Sequence, residues 1–166
     1  MGLLEPHGRS RGAVRRDALS EPGPPVFVIH SLTHAVAALE AATAAGRAIV
    51  LLSAPDAGIH AGPGWFKALA DAARAAVPRV QAEFVLDCGD DAGAAQGAIR
   101  AGVLSIIFTG RADVAERLSS IATAAGSRLL TTRPKALVDL DRWFFADPDT
   151  LLRNCADILA SHLAIC

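Results

Sequence analysis

One stretch, Val80 to Arg111 (VQAEFVLDCGDDAGAAQGAIRAGVLSIIFTGR), narrows the fold further than any other part of the chain. An apolar segment, Val80 to Leu86, meets an acidic turn carrying Gly89. A small-residue helix follows from Asp91 to Ala101, and a second apolar segment, Val103 to Phe108, ends in Thr109-Gly110-Arg111. Two apolar strands joined by a helix make a βαβ unit, because parallel strands need a crossover that no hairpin turn can supply.

The same plan repeats on either side. Val26 to Ile29 reads as a first strand, and Ser31 offers an N-cap to a helix whose Leu32, Val36, Leu39 and Thr43 recur at helical spacing until Gly46. Ala48 to Leu52 is a second strand; apolar on both faces, it suits a parallel sheet covered by helices on both sides. The polar connection Ser53 to Gly64 leads to a helix from Trp65, with Phe66, Leu69, Ala73 and Val77 on one face and Pro78 as its stop. Val114, Leu118, Ile121 and Ala125 mark a further helix closed by Gly126, and Arg128 to Thr132 a fifth strand. Ala136 to Leu140 reads equally as an edge strand or a loop. Trp143-Phe144-Phe145 is expected to plug one end of the core, and Asp147-Pro148 to open a last helix with Leu151, Cys155, Ile158 and His162 on one face. The expectation is an α/β fold of about five mainly parallel strands alternating with helices, either a partial (β/α)-barrel or an open flavodoxin-like three-layer sheet.

Length and charge bound the remainder. At 166 residues, 52% of them hydrophobic, the chain can bury a core without staples. The Arg-bearing, Gly- and Pro-rich start, Met1 to Pro25, is expected to be a disordered tail, leaving 26–166 as a single α/β domain. Sixteen basic against seventeen acidic residues leave a formal charge of −1, which makes no electrostatic case for nucleic acid or an anionic membrane. Three cysteines with no CxxC spacing fit neither a disulfide framework nor a zinc knuckle, so a reducing cytoplasm is expected. A homo-oligomer is left open.

In either architecture ligands gather at the carboxyl ends of the strands. That rim carries His30, Ser53, Asp87 and Cys88, Thr109-Gly110-Arg111, and then Thr132 and Arg133. The acidic turn Asp87-Cys88-Gly89-Asp90-Asp91 is the densest group. Its carboxylates, Asp87 and Asp90 foremost, fit a general base or a divalent cation, though no specific metal motif is present. They equally fit a cap and a turn. Cys88 is a candidate nucleophile, but carboxylates beside a thiol raise its pKa and work against a thiolate. His60 lies on the long polar connection before a helix, and Thr109-Gly110-Arg111 joins a hydroxyl and a guanidinium to a helix start, a pattern that suits phosphate.

Two families share features with the central stretch. Gln96 to Thr109, a helix ending in Ala101-Gly102 that feeds an apolar strand, resembles the βα repeats of aldolase-type (β/α) barrels, which carry ligand groups at their strand tips. Asp90-Asp91-Ala92 with Ala98-Ile99-Arg100-Ala101-Gly102-Val103 resembles a segment of response-regulator receivers; the acidic pair that receivers need after strand one is replaced here by His30-Ser31. The first resemblance implies a lyase or isomerase acting on a small anionic metabolite, phosphorylated or carboxylated, with Asp87 or His30 as base. The second implies a non-catalytic regulatory or protein-interaction domain.

Overall fold

A computed structural model describes residues 23–163; the segment 1–22, where most of the expected tail falls, lies outside the described residues. Six strands, β1 (Val26–Ile29), β2 (Ile49–Ser53), β3 (Ala82–Asp87), β4 (Ser105–Ile107), β5 (Arg128–Leu130) and β6 (Val138–Asp139), form one wholly parallel sheet in the order β5-β4-β3-β2-β1-β6. The helices are α1 (Leu32–Ala44), α2 (Ala57–His60), α3 (Pro63–Ala76), α4 (Ala92–Arg100), α5 (Ala112–Ala124) and α6 (Pro148–Leu163). The short α2 inside the long polar connection was not expected, and the ambiguous segment after β5 proves to hold an edge strand, β6.

Three helices end by one repeated device. Gly46, Gly102 and Gly126 adopt φ of 63°, 77° and 75°, a left-handed turn open to glycine at little cost. The amide that follows each of them then reaches back to the last helical turn: Arg47 to Ala42 at 3.0 Å, Val103 to Ala98 at 3.0 Å and Ser127 to Ala122 at 2.8 Å. The chain is thereby aimed into β2, β4 and β5 in the same way.

The core departs from the sequence expectation. Alternate strand side chains, Phe27 and Ile29, Ile49 and Leu51, Phe84 and Leu86, Ile106 and Phe108, pack against buried residues of the helices α1 and α3 to α6. The opposite face holds Val26, Val28, Val50, Leu52, Val85 and Ile107, a cluster drawn from strands alone, none of it more than 9% exposed. Helices thus cover one face, not both. Strands β1 to β5 lie side by side in chain order with β6 added beyond β1, and it is the placement of all the helices on one face that departs from a doubly wound sheet, which covers both. This is the partial-barrel arrangement, and the flavodoxin-like and receiver-like alternative is not the one adopted.

The concave face is closed by the strap Thr131 to Leu137, which joins the carboxyl end of β5 to the start of β6 at the other edge. Leu130 and Ala136 pack on the strand-only cluster, and the Leu137 N–H donates to the Val26 carbonyl at 2.8 Å. An extended chain gains at most about 3.5 Å per residue. Crossing five flat strand spacings would take about 24 Å, nearly the whole reach of the strap, before any descent along the strands. A flat sheet would leave the strap almost no slack, which a curled sheet relieves. Leu52, fully buried in this cluster, tests the point: Leu52→Ala should cost about 2–5 kcal/mol in urea unfolding, whereas a face open to solvent would make it nearly neutral.

Candidate functional site

At the carboxyl rim the central polar group is built from β2, β3 and the strap. The Ser53 hydroxyl accepts from the Asp87 N–H at 2.9 Å and donates to the Ala54 carbonyl at 3.0 Å. One Asp87 oxygen accepts from the Gly89 N–H at 2.7 Å, closing the turn after β3; the other pairs with Arg133 Nη1. Nη2 of Arg133 donates to the Ser53 carbonyl at 2.8 Å. Asp87 is buried, with side-chain exposure of 5%, while Arg133 keeps 26% of its side chain in solvent. Arg133 follows the edge strand β5 yet reaches the middle of the sheet, because the strap carries it over the concave face.

A second polar pair stands on the β1 side. His30 Nε2 and Asp139 Oδ1 are 2.6 Å apart, joining the carboxyl ends of β1 and β6. Asp139 is a residue the sequence reading missed; the only signal for it was an acid ending the ambiguous segment after the strap. Behind His30, His34 is fully buried on α1, and its Nδ1 accepts from the His30 N–H at 3.3 Å. Burial, with a smaller effect from His30, holds the His34 pKa below its ordinary 6.5.

The other candidates do not join these groups. Cys88 is fully buried, and a side chain on Gly58 of α2 would strike its sulfur. Burial first, then Asp87 and Asp91, push its thiol up to about 12, which disfavours the thiolate that a nucleophile needs. Asp91 is the N-cap of α4, its Oδ1 accepting from the Ala94 N–H at 2.8 Å, and Asp90 is exposed. The acidic turn thus splits three ways instead of converging on a cation, and among the described residues no three His, Cys, Asp or Glu side chains stand close enough to hold a metal. Arg111 is engaged by Asp113, Nε to Oδ1 at 3.0 Å and Nη2 to Oδ2 at 2.9 Å, with 80% of its side chain exposed. The Thr109 N–H donates to the Gly89 carbonyl at 2.7 Å, and Gly110 lets the β4 loop lie against the Phe108 ring and the Asp90 carbonyl. His60 and Thr132 are exposed and take part in neither group.

Trp143-Phe144-Phe145 does not plug the core as expected. Trp143 is half-buried, while Phe144 is 46% and Phe145 97% exposed. Trp143 alone of the three packs against the core, and Leu140, at the start of the 3-10 turn Leu140–Trp143, is fully buried.

No protein-family model matches the chain, and no curated protein does. Among solved structures, a protein from Coccidioides immitis assigned as a fructose-1,6-biphosphate aldolase matches with a TM-score of 0.53 at 20% identity. The match covers 64% of this chain and 39% of that one, so the chain spans well under half the length of its structural neighbour. The likeness is one of fold: an aldolase-like parallel α/β arrangement. No helix among the described residues is long and apolar enough to cross a membrane.

Two measurements check this geometry. Arg133→Met strips the buried Asp87 of its counter-charge and should lower unfolding stability by about 1–3 kcal/mol, less than a fully buried pair would lose because Arg133 is partly solvated. Adding Asp87→Asn should restore part of that loss. For His34, the unfolded chain takes up a proton before the folded one, so this group removes stability as pH falls from about 7 and has no effect above it. His34→Gln should flatten the decline of the urea midpoint between about pH 7 and 5, whatever its effect at neutral pH.

Proposed function

We propose that the rim is a small-molecule site of the lyase or isomerase type, in which His30 moves a proton and Arg133 holds the carboxylate or phosphate of a short metabolite. The observation that carries this reading is the His30–Asp139 pair. A carboxylate only accepts, so Nε2 carries the proton and Nδ1 is left as a base; Asp139 then stabilises the imidazolium that forms. Val28, Leu52 and Val85 lie in one row of the sheet, and His30 and Asp87 stand two residues beyond the ends of that row. His30 and the Asp87 carboxylate that holds Arg133 are thus separated by roughly two strand spacings, about 10 Å. That span suits a metabolite of a few carbons with an anionic end.

Asp87 acts in this scheme as the group that orients Arg133, not as the base. Both of its oxygens already accept hydrogen bonds, one from Gly89 and one from Arg133. Arg133 presents a fork of five N–H donors and uses two nitrogens on Asp87 and the Ser53 carbonyl, which leaves donors for a ligand. The aldolase-like fold is compatible with this chemistry, and the metabolite itself is a proposal.

A panel of short sugar phosphates and small oxo-carboxylates tests the reading. At least one should raise the melting temperature by a few degrees, about what ligand at a hundred times its Kd provides. Arg133→Lys should abolish that shift by removing the fork, whereas His30→Gln should keep it while losing deuterium exchange at the carbon next to the ligand carbonyl, followed by proton NMR. A panel with no response, or a response indifferent to both substitutions, sinks the proposal.

A further inference from the structure

We propose that the corner carrying Phe144 and Phe145 is a docking surface for a basic segment of a partner protein that bears an apolar side chain. The other phenylalanines of the described fold, Phe27, Phe66, Phe84 and Phe108, are at most 3% exposed. Phe145, in contrast, is 97% exposed, and its ring meets Phe144 edge to face at 5.2 Å between centroids. Phe144 in turn stands edge-on to the buried His34 ring at 5.5 Å. Among the described residues the buried His34 Nε2 has no hydrogen-bond partner, so the packing beneath this pair ends there on an unsatisfied group. Two aromatic side chains presented together are the composition of an interface anchor, not of a solvated turn.

Charge selects the occupant. Asp141, Asp147 and Asp149, each within five residues of both phenylalanines in the sequence, are exposed, as is Asp139, which pairs with His30. The single cation in that segment, Arg142, lies over the Trp143 ring, 4.7 Å from its centroid. These carboxylates outnumber the guanidiniums of Arg142 and of Arg153, the latter close to Asp147, which disfavours nucleic acid and anionic lipid and draws a basic partner. A two-fold contact with a second copy of the chain would bring the same carboxylates face to face, which disfavours self-association here.

The test uses the whole chain and a fluorescent amphipathic peptide of Lys and Leu, with a Glu/Leu and a Lys/Ser peptide as controls, read by anisotropy. The Lys/Leu peptide should bind alone of the three. Phe145→Ser, which touches no core contact, should weaken binding by about tenfold or more, and Asp141→Asn with Asp149→Asn should weaken it and reduce its salt dependence. The melting temperature and the response to anionic metabolites should be unchanged in Phe145→Ser, which separates this surface from the rim site. No peptide binding, equal binding of the Glu/Leu peptide, or a Phe145→Ser chain that binds like the parent would overturn the proposal. So would a dimer in sedimentation that Phe145→Ser dissolves, because the occupant would then be a second copy.

Discussion

The strands are apolar on both faces, but the helices cover only one of them, and the rest of the structure follows from that mismatch. Val28, Leu52, Val85 and Ile107 have no helix to meet, so they bury themselves against one another and against Leu130 and Ala136. A strand set with two apolar faces can satisfy both by adding a second helix layer or by curling. The helical crossovers from β1 through β5 all return on the same side, which removes the first option. Curling then brings β5 and β6 close enough for the strap to join them.

Arg133 shows what the curl makes available. A residue following an edge strand would ordinarily point to solvent. Here it lies over the concave face, where the buried carboxylate of Asp87 and the Ser53 carbonyl both accept from it. The pair is not obviously stabilising on balance, since removing two charges from water costs about as much as their attraction returns. Its clearer effect is positional: the strap is fixed at its upper end by an ion pair and at its lower end by the Leu137 to Val26 hydrogen bond.

What could be read from the sequence divides by range. Caps at Ser31 and Asp147 and the glycine helix ends were legible because each depends on residues within one turn, and the cap of α4 only to within the Asp90-Asp91 pair, of which Asp91 takes the role. Asp147 even shows the electrostatic trace of its role, its pKa lowered first by the Thr150 backbone N–H. The Asp87–Arg133 pair spans 46 residues and the His30–Asp139 pair 109, and no local periodicity encodes either. Arg133 was named as a rim candidate without its partner, and Asp139 was not named at all. The face that would be bare was also illegible, because a run such as Ile49-Val50-Leu51-Leu52 looks the same whether its second face meets a helix or the inside of a curled sheet.

The fold also sorts charge along the strand axis, and this bears on what the rim can hold. Helices begin at the carboxyl ends of the strands, where their free N–H groups favour acids, and Asp91, Asp113 and Asp147 occupy such first turns or caps. They end at the opposite side, where Arg74 and Arg100 lie in last turns. Among the described residues, an anion approaching the rim meets several carboxylates and finds Arg111 engaged by Asp113, whereas Arg133, emerging from the strap, keeps N–H donors beyond those used on Asp87 and Ser53. Specificity would then come from a single narrow point of positive charge set in an acidic surround. The same acidic surround leaves the neighbouring corner at Phe144 and Phe145 open to cations.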